Sequence, residues 1–206
     1  MTYISKDAFI QAVGIDRLSA IAEAVRLAHA DYDEGYSPAK KVVLNVTPAC
    51  VAFIRHCHMI DRASRLEAKF PSIKAFDSDG LKGIVVNGNM AFIFKKLDEN
   101  LRPQNNETQH IDDYLSQTEL VGVDAAHHFV AGYTENRLTG ELADVFVVYP
   151  AGRGLYWSIK MTGIEATSVV SDMFAADQAV EESELRPRRV SADVIPLKRE
   201  EDDSRK

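Results

Sequence analysis

Five basic side chains, Arg55, His58, Arg62, Arg65 and Lys69, recur at three- and four-residue spacing between Thr47 and Pro71. On a helix that spacing places them on one stripe about 20 Å long. A row of nitrogen donors of this kind suits phosphates or an acidic partner helix. The spacing equally suits a solvated face on which Asp61 and Glu67 trim the charge locally. Cys50, Phe53, Cys57, Ile60 and Ser64 follow the same rhythm, rotated about 150° from the basic row. They are therefore expected to form the core face, with both cysteines as buried, reduced thiols too far apart for a disulfide. Arg186, Arg188 and Arg189 would add a flexible basic anchor to the same partner-binding surface.

Other groupings carry less chemistry. His56-Cys57-His58 has the residue types of a metal site. Residues two apart on a helix face nearly opposite directions, however, whereas zinc pairs use spacings of three or four. His127 and His128 would likewise point to opposite faces of a strand. Lys95, Lys96, Asp98 and His128 form an alternative set for an enzyme acting on nucleic acid or a nucleotide, if the fold gathers them at one end of a sheet. A metal-dependent nuclease would need an acid two residues before the lysine, and Ile93 and Phe94 stand there instead. There is no phosphate-cradling glycine loop, nucleophile elbow or His-Glu-x-x-His. No cofactor or metal is expected.

The elements that must position these residues read as α+β. Asp16 to Asp33 carries Leu18, Ile21, Ala22, Val25, Ala28, His29 and Tyr32 on one helical face. Lys41 to Val46 is a short apolar run, either strand or connector. Thr47-Pro48 is an N-cap followed by proline at the first helical position, and Pro71 ends the helix that follows. Phe76 to Gly80 reads as a polar turn. Asn87-Gly88, between Ile84-Val85-Val86 and Met90 to Phe94, is the sequence signal of a type I′ hairpin. Glu99 to Thr108 is a loop and Gln109 to Gln117 a short helix. Three strands form a meander, His127–Thr134, Leu142–Tyr149 and Leu155–Met161, with Leu155, Trp157, Ile159 and Met161 on one side of the last. Glu165 to Glu184 reads as a further helix. An antiparallel sheet of about five strands, packed against N-terminal and C-terminal helices, is the predicted architecture. One domain is expected over 1–185, with a charged, disordered tail from 186 to 206.

The chain has 206 residues, 46% of them hydrophobic, and a formal charge of −7. That is enough to bury one full core, and the acidity disfavours wholesale coating of nucleic acid. Apolar runs fall well short of the roughly 20 residues of a membrane span. The first residues lack the pattern of a secretory signal. A cytoplasmic, bacterial-type protein with no membrane partner is expected.

Phe94-Lys95-Lys96-Leu97-Asp98, Asn106-Glu107-Thr108-Gln109, Gly132-Tyr133-Thr134-Glu135-Asn136 and Tyr156-Trp157 give the stretch from Gly83 to Met161 a further character. It resembles a family of uncharacterised phage- and plasmid-associated proteins encoded near helix-turn-helix regulators. The resemblance implies a mobile-element, defence or toxin–antitoxin context. It implies no catalytic chemistry. With the basic stripe, it points to a binding and regulatory protein that engages a protein or nucleic-acid partner.

Overall fold

The computed structural model describes residues 3–35, 47–104, 108–120, 122–123 and 125–161. Lys41–Val46, the helix expected over Glu165–Glu184, Asp124 and the tail with Arg186, Arg188 and Arg189 lie outside the described residues. The element order is α1 (Lys6–Val13), α2 (Ile15–Gly35), α3 (Pro48–Ser64), α4 (Leu66–Lys69), β1 (Ile73–Ser78), β2 (Leu81–Val86), β3 (Met90–Lys96), α5 (Gln109–Leu115), β4 (His127–Glu135), β5 (Leu142–Ala151) and β6 (Gly154–Lys160). The fold class is α+β. Its six strands form one sheet in sequence order.

Two turns build the first three strands. Asp79 (φ 49°) and Gly80 (φ 82°) join β1 to β2, and Asn87 (φ 53°) and Gly88 (φ 70°) lead from β2 to β3. Both pairs supply the two positive φ angles that a type I′ turn requires. The expected hairpin is therefore present. The supposed polar turn from Phe76 to Gly80 is shorter than expected and closes a strand pair of its own, with Ser78 opposite Leu81. Strand β1 is polar because it is an edge strand, with Lys74 and Asp77 exposed, and charge on an edge discourages pairing with other chains.

The sheet is mixed rather than wholly antiparallel. β3 and β4 run parallel, with Met90 opposite His127 and Lys96 opposite Tyr133. Parallel neighbours need a crossover, and α5 lies in the connection between these two strands. Strands β4, β5 and β6 form the expected antiparallel meander.

The sheet has a hydrophobic cluster on each face. On one, Phe9, Leu18, Ile21, Val25, Ala28, Met59 and Ala63 from α1–α3 pack on Ile73, Ile84, Phe92, Phe94, Phe129, Ala131 and Val147. On the other, Tyr114 and Val123 of the crossover cover Ala91, Ile93, Val130 and Val148. Trp157, Ile159 and Met161 belong to the first cluster as expected. Leu155 packs on the second, because a register shift between Tyr149 and Pro150 breaks the alternation of β6.

Thr47 caps α3 by accepting from the Cys50 amide, and Pro48 occupies its first turn. The face that α3 buries is the main correction. Arg55, Met59 and Ala63 are its buried residues, whereas Cys50 and Cys57 are exposed and Phe53 is 66% exposed. The helix is turned so that part of the basic stripe, rather than the cysteine face, meets the sheet.

Candidate functional site at the β3–β4 end

The parallel pair ends with Lys95 beside Gly132 and Lys96 beside Tyr133. Successive side chains leave a strand on opposite faces, so the two lysines enter different surroundings. Gly132 makes the close approach possible. A Cβ there would lie 2.6 Å from the Leu97 side chain and 2.7 Å from the Lys95 carbonyl, closer than packed atoms tolerate.

On the helix side lies a partly buried ionic cluster. Arg55 Nη1 is 2.5 Å from Glu135 Oε1, and Lys96 Nζ is 2.5 Å from Glu135 Oε2. Asp33 stands 3.6 Å from Arg55 Nη2, and the Arg55 guanidinium lies 4.7 Å from the centre of the Tyr32 ring, within cation–π range. Beside them the His29 ring meets Tyr133 edge-on at 4.1 Å. Both His29 nitrogens are buried without a hydrogen-bond partner among the described residues. Burial, followed by the charges of Arg55 and Lys96, lowers the His29 pKa to about 3. Burial and the Glu135 carboxylate push the Tyr133 hydroxyl up to about 12. At neutral pH both rings are therefore uncharged. The two cations here are matched by two carboxylates, which makes the cluster an internal clamp between α2, α3 and the sheet.

Around Lys95, an open cavity of about 260 Å³ is lined by His56, Asp79, Gly80, Leu81, Lys82, Lys95, Thr108, His110 and Ile111. Each flank comes from a different element: α3, the β1–β2 turn, β3 and α5. His56 Nδ1 lies 2.9 Å from the Phe94 carbonyl, so that nitrogen carries the proton and donates it. Burial, then the charge of Lys95, lowers the His56 pKa to about 4. Lys95 is itself lowered by burial. Lys82 pairs with Asp77 at 2.8 Å. His110 Nε2 is buried with no hydrogen-bond partner among the described residues.

The residues singled out by spacing are thus divided. Arg55 points inward to Glu135. Arg62 forms a two-pronged pair with Asp31, Nε to Oδ2 at 2.8 Å and Nη2 to Oδ1 at 2.5 Å, and His58 lies 3.7 Å from the same carboxylate. Arg65 stays outward and pairs with Asp61 at 2.6 Å. Lys69 is exposed, its ammonium 5.2 Å from the centre of the Phe70 ring. The five do not form one outward row.

The set Lys95, Lys96, Asp98 and His128 is not gathered either. His128 is near the start of β4, four residues before the partner of Lys95, which is about 13 Å along the strand. It stacks on Tyr114 with ring centres 4.5 Å apart. Asp98 binds its own loop, accepting from the Asn100 and Arg102 amides. His56 and His58 diverge as helical geometry requires, and no cluster of three or more metal-ligating side chains occurs among the described residues. No described helix is long and apolar enough to cross a membrane.

Sequence spacing gave no site role to His29, Glu135 or His110, which reach these clusters from distant parts of the chain. The buried position of His29 on the core face of its helix was the one available signal. No family model, curated protein or solved structure matches this chain.

Proposed function

We propose that the chain is a binding and regulatory protein that engages a phosphate-bearing partner at the cavity around Lys95, where β3 ends beside the β1–β2 turn. The observation that carries this reading is the cavity where Lys82, Lys95, His56 and His110 converge from separate elements, in a chain of net charge −7. Burial already disfavours the charge on Lys95, and a bound anion would restore it. A mobile-element, defence or toxin–antitoxin setting is supported by the resemblance of residues 83–161 alone. Arg65 and Lys69 are the members of the helical row left to extend the contact outward.

The test is size-exclusion chromatography with light scattering and absorbance, on this chain purified in low salt. A co-eluting nucleic acid, or a phosphorylated protein of added mass, is the expected result. Reversing Lys82 and Lys95 to glutamate together should release the partner. For a nucleic acid, losing these contacts should also reduce the salt dependence of binding by about one unit of slope per phosphate contact removed. A chain that elutes alone, free of nucleic acid, overturns the reading.

A further inference from the structure

We infer that the cavity between α3, the β1–β2 turn, β3 and α5 is a binding site for a protonated phosphate group, held between Lys95, His56 and His110. This rests on the reading above and names the chemistry its site selects.

The argument starts from the hydrogen-bonding roles left open. The His56 ring lines the cavity, and its Nδ1 is committed to the Phe94 carbonyl. A neutral imidazole with a protonated Nδ1 has only a lone pair at Nε2. His56 can therefore offer the cavity an acceptor, and its lowered pKa keeps it in that form at neutral pH. Asp79, at the β1–β2 turn, is a second acceptor lining the cavity. A fully deprotonated oxyanion would face both lone pairs with nothing to donate. An oxyanion that keeps one hydroxyl can donate to one of them, the neutral His56 Nε2.

The remaining groups balance the charge. Lys95 supplies a cation inside the cavity, and among the described residues no carboxylate lies within ion-pair distance of it. Lys82 adds positive charge at the rim, partly offset by Asp77. His110 also lines the cavity, and its buried Nε2 has no hydrogen-bond partner among the described residues. Cations and acceptors set face to face describe a site for phosphate rather than sulfate. Inorganic phosphate retains a hydroxyl throughout the neutral range. A phosphate monoester retains one only below its second ionisation, at about pH 6.

Isothermal titration of the full chain with inorganic phosphate and with sulfate, in a zwitterionic buffer at pH 7, tests the site. Saturable phosphate binding is expected, at least tenfold tighter than sulfate. Lys95→Met, which keeps the aliphatic stem, should weaken it by tenfold or more. His110→Gln gives a second, gentler variant, should the first fail to fold, and its expected loss is severalfold. Equal affinity for the two anions, or phosphate binding unchanged by either folded variant, overturns the inference.

Oligonucleotides with a 5′-phosphate or a 5′-hydroxyl separate the sources of the group. Tighter binding of the phosphorylated form, strengthening as pH falls from 7.5 to 5.5, supports a terminal monoester. Equal binding of the two oligonucleotides, with inorganic phosphate still bound, supports the free ion. Oligonucleotide binding without phosphate binding sinks this inference and leaves the phosphate-bearing partner standing. Phosphate binding by a chain that retains no partner does the reverse.

Discussion

At the scale of single residues, the fold has placed charge where burial makes it expensive. Arg55 is 5% exposed, and its short ion pair is with Glu135, which it shares with Lys96. Removing one member of a buried ion pair strands the other, at a cost of roughly 3–5 kcal/mol. Glu135→Gln should therefore lower stability towards denaturant by about 3 kcal/mol, the low end because Lys96 and Glu135 retain some solvent contact. Arg55→Met combined with Glu135→Gln should recover part of that loss, since no unpaired guanidinium then remains. His29 and His56 set the pH dependence. Their folded pKa values, about 3 and about 4, lie below the ordinary 6.5, so the unfolded chain takes up protons first. The stability they contribute is complete above pH 6.5. It falls on acidification, at about 1.4 kcal/mol per pH unit for each histidine, until the folded pKa is reached. Urea unfolding at pH 7 and pH 5 should show His29→Leu losing less stability between those pH values than the parent chain. An unchanged difference would mean that His29 titrates alike in the folded and unfolded chain.

At the scale of elements, α3 shows why a helical stripe can be read correctly as a stripe and assigned to the wrong side. Its sequence offers two faces with apolar members. Cys50, Phe53 and Cys57 form one, and Met59 and Ala63, in register with Arg55, form the other. Hydrophobic periodicity favours the first. The second is buried because Glu135 from the sheet and Asp33 from α2 supply the charge that lets Arg55 enter. The rotation has direct consequences. Both thiols should react with a disulfide reagent such as DTNB in the native protein, without denaturant. Phe53→Ser should change stability by no more than about 0.5 kcal/mol, whereas Met59→Ala should cost about 2–5 kcal/mol. Slow thiol reaction, or a large loss at Phe53, would restore the cysteine face to the core. In α2 only one face is apolar, and all seven residues read as its core face are buried. The turns were equally legible, since Asn-Gly and Asp-Gly tolerate positive φ better than other pairs. Strand β1 escaped because an edge strand trades alternation for charge.

At the scale of the whole molecule, the parallel β3–β4 pair decides which residues meet, and the crossover holds it in place. The Tyr114 hydroxyl lies 2.9 Å from the Ala91 carbonyl on β3 and 2.8 Å from the Phe129 carbonyl on β4. Gln117 donates to the His128 and Pro150 carbonyls and accepts from the His128 amide. Tyr114→Phe leaves the packing but removes the shared donor between the strands, and should cost about 1–3 kcal/mol. Thermal unfolding checks it, and a cost near zero would show that the crossover rests on apolar contact alone. The sequence by itself determined the α+β class, the buried face of α2, the Asn-Gly turn, the meander and the cap of α3. Each depends on residues close along the chain, whose propensities and spacing act locally. The tertiary structure alone decided the strand direction at β3–β4, the rotation of α3 and the meeting of His56, Lys95 and His110. Those depend on partners far apart in sequence, where long-range charge pairing and packing, rather than periodicity, choose among faces that local physics leaves nearly equal.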